Sequence, residues 1–171
     1  TAADVDGDPD TPAQWVHGFG VNDFTKWSVN GNEVGLLIDL GQDYTLDVLQ
    51  LWNFNADGLE SWGTDEFDVY AATGATRPAT MADLTLVRAN VPLATAGNQD
   101  ADYLGETYVW GDAGTNVIPA ELGDESGAAT LLAEPLTGRY LFLVLRDNDN
   151  SGHVGLSELK FYGRPAGAPD V

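Results

Sequence analysis

The chain has 171 residues, no cysteine, and 27 acidic against 7 basic side chains, a formal charge of -20. This length makes one domain, which buries about 70% of its unfolded surface and needs no staples; the missing thiols exclude disulfides, thiolate zinc, iron–sulfur clusters and cysteine nucleophiles. The charge turns away nucleic acid and anionic membrane surfaces, while a 43% hydrophobic and 10% aromatic content specifies a packed core rather than disorder.

No apolar run is long enough to span a membrane. The chain opens on Thr1 with no signal-peptide pattern, as expected of a processed or excised product. Taken in order, the segments alternate with a period of two. Val34–Leu40 (VGLLIDL) puts Val34, Leu36, Ile38 and Leu40 on one face. The turn residues Gly41-Gln42-Asp43 then separate it from Leu46–Phe54 (LDVLQLWNF), which is apolar on most positions of both faces, as a covered strand is. Phe67–Ala72 (FDVYAA) alternates again, and Ala79–Asp83 suits a single helical turn. Pro119–Ala133 has room for a short helix, weakened by Gly123 and Gly127. Arg139–Leu145 (RYLFLVL) is apolar on both faces and reads as central. Leu156–Tyr162 (LSELKFY) sets Ser157, Leu159 and Phe161 against Leu156, Glu158, Lys160 and Tyr162. Further turn signals lie at 55–58, 96–98 and 147–152. Short strands with turns between them predict an all-β antiparallel sandwich or barrel. The tail at 164–171 has linker composition, so a further segment is expected beyond it.

Four pieces then recur in a familiar order: Ala3–Trp15 (ADVDGDPDTPAQW), Leu37–Leu46 (LIDLGQDYTL), Phe67–Tyr70 (FDVY) and Val154–Gly163 (VGLSELKFYG). Together these resemble the discoidin domains. Those are galactose-binding-like β-sandwiches that include coagulation-factor C-type domains and many bacterial carbohydrate-binding modules. The resemblance implies a jelly-roll β-sandwich over residues 1–163. It also implies a structural calcium where the early loop meets the last strand. Its ligands would be Ala3, Asp6, Asp8 and Thr11 from the loop and Ser157 and Glu158 from the strand. The chemistry is sound, because calcium takes six to eight hard oxygens at about 2.3–2.6 Å. Gly7 lets the backbone curl inward, and Glu158 has no evident partner in its apolar strand. The alternative is an Asp-rich turn that binds nothing.

Two EF-hand spacings need weighing. The one at Asp4, Asp6 and Asp8 has Pro9 where the loop needs Gly and Trp15 where it needs Glu. The one running from Asp147 to Glu158 fits in spacing, but its flanks read as strands. Neither is taken as an EF-hand, and a separate metal site in the 147–152 loop stays open.

Five Trp are more than a core of this size requires. Sugars present apolar C–H faces edged with hydroxyls, which aromatic rings and amide, carboxylate or imidazole groups recognise. Such residues gather on sandwich loops. The candidate ligand residues are His17, Trp27, Asn53, Asn55, Trp62, Asp147, Asn150 and His153. Trp15 and Trp52 are assigned to the core, and Trp110 fits either place. In sugar-binding discoidin modules the corresponding loop carries an Arg and an Asn; here that loop has no Arg, and Asn53 or Asn55 and Trp62 stand nearest.

The expected function is a non-catalytic carbohydrate-binding module. It would be monomeric, secreted or at the cell surface, and would tether a polysaccharide-active protein to glycan. An adhesion domain recognising a protein is the alternative, because fold alone does not settle function. A small jelly-roll glycosidase or lyase has no positive signature: no G-x-S-x-G, H-E-x-x-H or P-loop pattern occurs.

Overall fold

The computed structural model describes residues 15–18, 26–28, 33–54, 60–96, 105–111, 130–132, 135–146 and 153–168, with the backbone alone for 15–18, 26–28, Glu60 and Leu131. In chain order these form β1 (Trp15–Gly18), β2 (Lys26–Ser28), β3 (Glu33–Asn53), a 3-10 turn at Glu60–Trp62, β4 (Glu66–Ala72), a second turn at Met81–Asp83, β5 (Thr85–Pro92), β6 (Glu106–Val109), β7 (Thr130–Leu131), β8 (Leu136–Arg146) and β9 (His153–Pro165). The main ladder runs β1-β9-β3-β8-β4-β5, with β2 and β6 also on β3. Every pairing is antiparallel except β6 with β7. The chain is an all-β antiparallel sandwich.

One strand belongs to both layers. Glu33–Asp39 of β3 pairs with Tyr140–Arg146 of β8, and past the kink Tyr44–Leu46 pairs with Leu136–Gly138 of β8 while Tyr44–Asn53 pairs with β9. The predicted turn at Gly41-Gln42-Asp43 is instead an irregularity within this strand, where the β8 register shifts between Asp39 and Tyr44. Gly41 sits at φ 85, a conformation that costs glycine little. Its N–H donates to Asp39 Oδ1 at 2.8 Å, and Arg139 clamps the same carboxylate at 2.7 and 3.0 Å. The kink bends β3 from one layer into the other.

The core fills the space between the layers. Val34, Leu36, Ile38 and Leu40 face it together, as their alternation predicts. They meet Leu141, Leu143 and Leu145 of the central strand β8, and Leu49 and Leu51 from the other half of β3. Phe67 of β4 packs edge-on against Tyr108 of β6 at 5.2 Å and 88°, joining the two layers. Each such side chain contributes about 1.5–3 kcal/mol by leaving water. The outer face of β8 is covered too: Phe142 and Val144 are buried. The Phe142 ring occupies the space over Gly35, where a Cβ would fall 2.1 Å from Phe142 Cζ.

Strand β9 corrects the predicted face assignment. Its register with β3 shifts between Trp52 and Asn53, which leaves Ser157 as an extra residue. Leu156 therefore joins Leu159 and Phe161 in the core, although simple alternation puts it on the opposite side. The strand also runs past Gly163: Arg164 and Pro165 pair with Thr45 and Tyr44, and Ala166 N–H donates to the Asp43 carbonyl at 2.9 Å. The tail taken as linker thus begins inside the ladder.

Strand β5, which was not among the predicted strands, ends the ladder order. Its pairing with β4 is interrupted twice, around Val69. Asn90 lies at φ 54, with its N–H on Asp68 Oδ1 at 2.8 Å. The expected helical turn is present at Met81–Asp83, where the Asp83 carboxylate accepts the Ala79 and Thr80 N–H groups at 3.0 and 2.9 Å. Of the predicted Pro119–Ala133 helix, residues 119–129 and 133 lie outside the described residues, and Thr130–Leu131 is strand.

Gly35→Ala is expected to displace the Phe142 ring and destabilise the fold by about 1–3 kcal/mol. Urea unfolding checks this, and an unchanged midpoint would show that the ring has room to move.

Candidate functional site

One end of the sandwich collects Gly18 at the close of β1, Asn53 at the close of β3, Glu66 opening β4, Arg146 closing β8 and His153 opening β9. Gly18 lies opposite His153, and Arg146 opposite both Glu33 and Glu66. The site is built on this rim.

Asn53 is the anchor, not a ligand contact. It is 1% exposed. Its Oδ1 accepts the Thr64 N–H at 2.8 Å and the Phe54 N–H at 2.9 Å. Its Nδ2 donates to the Thr64 and Ala94 carbonyls at 2.8 and 2.9 Å. A carboxamide has two donors and a two-lone-pair acceptor, so both ends are engaged by the chain itself. The expectation that Asn53 grips sugar is therefore corrected: it staples the two ends of the 54–64 loop together. Gly63 makes this possible, since a Cβ there would fall 2.8 Å from Asn53 Oδ1. Thr64 Oγ1 then donates to the Gly155 carbonyl at 3.2 Å, fixing the loop to β9.

That staple sets Trp62 beside His153. The two rings stack with centroids 4.2 Å apart and planes 12° apart, and Phe54 lies behind Trp62 at 6.4 Å and 23°. Phe54 is buried, whereas Trp62 and His153 are half-buried. Two sequence candidates are thus brought together. Trp62 is not a free-standing platform, because an imidazole already covers part of one face. The pair sets indole and imidazole side by side, and the indole surface suits a sugar's C–H face.

The remaining candidates are placed less fully. The backbone of His17 lies opposite Val154, on the strand next to His153, and Trp27 lies opposite Gly35. Their side chains, and Asn55, Asp147 and Asn150 entirely, lie outside the described residues. Trp110 is 1% exposed and joins the core. Trp52, expected in that core, is half-buried on the outer face, with Lys160 Nζ 4.6 Å from its ring.

For the metal, Ala3, Asp6, Asp8 and Thr11 also lie outside the described residues. Ser157 and Glu158 are described. Glu158 has a partner that the sequence did not suggest: Lys160 Nζ at 2.9 Å. Ser157 Oγ is buried and finds no hydrogen-bond partner among the described residues. Among those residues no three Asp, Glu or His side chains converge as a metal site would need.

Sequence reasoning also missed the ion cluster on the rim. Arg146 donates through Nε to Glu33 at 2.6 Å and through Nη1 to Asp68 at 2.8 Å. Burial raises the Asp68 pKa, but the Arg146 hydrogen bond, the Asn90 N–H and the guanidinium charge outweigh it, and the net shift is below the ordinary 3.8. The Arg146 pKa is raised mainly by its bond to Asp68.

No protein-family model matches this chain, and no curated protein matches it in sequence. Solved structures do. The F5/8 type C domain of a Bacteroides fragilis protein aligns over 95% of this chain and 79% of its own, with TM-score 0.53 and 10% identity. The Clostridium perfringens module CpGH89CBM32-5, solved in complex with GalNAc-β-1,3-galactose, aligns over 93% and 80% with TM-score 0.52 and 9% identity. CBM32-3 from a family 31 glycoside hydrolase of Clostridium perfringens aligns over 94% and 80% with TM-score 0.50 and 15% identity. The chain has the fold shared by discoidin (F5/8 type C) domains and these carbohydrate-binding modules.

Asn53→Ala is expected to leave buried loop amides and carbonyls unpaired. Each costs about 1–3 kcal/mol, so urea unfolding should show a large loss of stability, with Trp fluorescence reporting a loosened Trp62. Asp68 supplies a pH signature. A carboxyl lowered in the folded state stabilises fully above its unfolded pKa, and that contribution drains away as pH falls through the folded value. Acid unfolding of Asp68→Asn should therefore lose part of the wild type's pH dependence below about 3.8.

Proposed function

We propose that this domain is a non-catalytic carbohydrate-binding module that holds an oligo- or polysaccharide at the rim bearing Trp62 and His153. The observation that carries the reading is the stack of these two half-buried rings on a loop stapled by Asn53. A preformed aromatic surface edged by imidazole nitrogen pays little ordering entropy when sugar arrives. The shared fold with sugar-binding modules supports the same reading. An open rim buries only part of a sugar, so single-site affinity is weak. The domain then acts by raising the local concentration of a tethered, secreted polysaccharide-active partner.

A structural calcium is part of the proposal. Trp15 lies opposite Leu156, so the chain leading into β1 reaches the ladder one residue from the Ser157 irregularity. The buried Ser157 Oγ, without a hydrogen-bond partner among the described residues, supports a polar neighbour there. The Ser157 carbonyl and Glu158 would hold the ion from this side, with Ala3, Asp6, Asp8 and Thr11 assigned by resemblance. Glu158 would have to exchange Lys160 for the cation. A bound ion of this kind ties the N-terminal segment to the last strand.

Affinity electrophoresis on a panel of plant and algal polysaccharides tests the sugar reading. Trp62→Ala should abolish retention while its melting temperature stays close to wild type; retention that survives puts the platform elsewhere. Chelation should lower the melting temperature by several degrees, and an unchanged melting curve would remove the calcium.

A further inference from the structure

Every bond that a protease of trypsin specificity can cut falls on described backbone. The chain has two Lys and five Arg, and none of the seven lies in the segments outside the described residues. Five stand in strands and are followed by residues other than proline. Lys26 of β2 lies opposite Leu36, Arg88 of β5 opposite Val69, and Lys160 of β9 opposite Gln50. Arg139 and Arg146 belong to the central strand β8, whose last residue, Arg146, has Glu33 on one side and Glu66 on the other. The remaining two are each followed by proline. Arg77-Pro78 lies outside every strand, in the segment between β4 and the Met81–Asp83 turn, and Arg77 is exposed. Arg164-Pro165 closes β9, and residues 166–168 beyond it are exposed.

We propose that the folded domain withholds its basic residues from trypsin-like proteases: the ladders close five of the bonds, and proline closes the two at their margins. The proposal is independent of the carbohydrate reading. Such a protease takes the basic side chain into an acidic pocket and holds the scissile carbonyl between N–H donors. A strand in a ladder has its backbone groups bonded already. It must leave the sheet first, so cleavage follows the small open population. Side chains add to this hold. Arg139 grips Asp39 through Nε and Nη2 at 2.7 and 3.0 Å, and Lys160 Nζ holds Glu158 at 2.9 Å. At Arg146 the carbonyl itself accepts the Asp65 N–H at 2.9 Å, while the guanidinium is bonded to Glu33 and Asp68. Drawing that side chain into a protease would strand the buried Asp68 carboxylate. Arg88 is exposed on β5, yet Asn90 two residues on ties the same strand to Asp68 at 2.8 Å. Arg77 has no ladder, and exposed loops are where proteases nick first. Its bond is guarded by chemistry instead: the proline nitrogen carries no hydrogen, and its ring crowds the residue before it. Pro165 guards Arg164 in the same way.

The test incubates wild type, Thr76→Arg, Pro78→Ala and Pro165→Ala with trypsin and locates each cut by mass, a nick adding one water across the bond. Thr76 is exposed, so the first variant puts a basic residue into the same segment with Pro78 untouched and no proline after the new site. Thermal melts establish which variants are folded. Wild type should stay whole after residue 77 and be cut elsewhere only slowly. Thr76→Arg and Pro78→Ala should be nicked in this segment at least about tenfold faster than wild type is cut anywhere, because loop cleavage waits for no unfolding. Pro165→Ala should release the tail beyond Arg164, which wild type keeps. If Pro78→Ala is unfolded, Thr76→Arg decides for this segment alone. Wild type cut at any of its seven basic residues as fast as the variants overturns the proposal. A folded variant that resists as wild type does also overturns it, since the segment is then closed to protease without help from proline.

Discussion

The architecture depends on one strand serving two layers. Glu33–Asp39 and Tyr44–Asn53 are a single run of backbone, yet β8 follows the strand only as far as Leu46, whereas β9 pairs with the second half alone. The bend between them needs a residue that tolerates φ 85, and Gly41 supplies it. The Asp39 carboxylate then holds the bend from both directions, taking the Gly41 N–H and the Arg139 fork. The Arg139 bonds hold the Asp39 pKa at about 2, so this clasp stays ionised through ordinary acidity. Because the strand crosses over, its far end arrives beside the start of β9, and the rim inherits its geometry from a kink at the other end of the molecule.

At that far end, the same strand delivers Asn53 into the base of the loop that carries Trp62. A buried carboxamide with both ends engaged is a stiff joint, because any rotation breaks at least two hydrogen bonds in a place water does not reach. Thr64 passes the constraint on to β9 through Gly155. The indole and imidazole are therefore positioned by buried groups behind them. Under the carbohydrate-binding proposal, a surface held this way is ready before a sugar arrives, which matters most where contacts are few.

Much of this was legible from residue order alone. The faces of Val34–Leu40 followed from alternation, and the central character of Arg139–Leu145 from apolar residues on both faces. Alternation failed at Leu156, where Ser157 inserts an extra residue that no propensity announces. Strand β5 escaped although Val87, Ala89 and Val91 alternate with Arg88, Asn90 and Pro92, because the run is short, weakly apolar and carries an exposed Leu86 on the polar face. Trp62 and His153 were recognised by type, but their stacking is a product of topology. Asn53 was misread for a physical reason: an amide that bonds sugar and one that bonds backbone have the same chemistry, and only burial tells them apart. The Glu158–Lys160 pair was likewise written in the sequence at a two-residue spacing, but its salt bridge became evident only with side chains in place.

Among the described residues β5 has β4 on one side and no strand on the other, which has a consequence of its own. A straight, unbroken border would offer evenly spaced donors and acceptors to any passing extended peptide. Here the pairing slips twice, Asn90 turns its backbone the other way, and Pro92 lacks a donor. A neighbouring copy finds no matching row to zip onto. Edge-to-edge aggregation at β5 is disfavoured by the same irregularities that interrupt its pairing with β4.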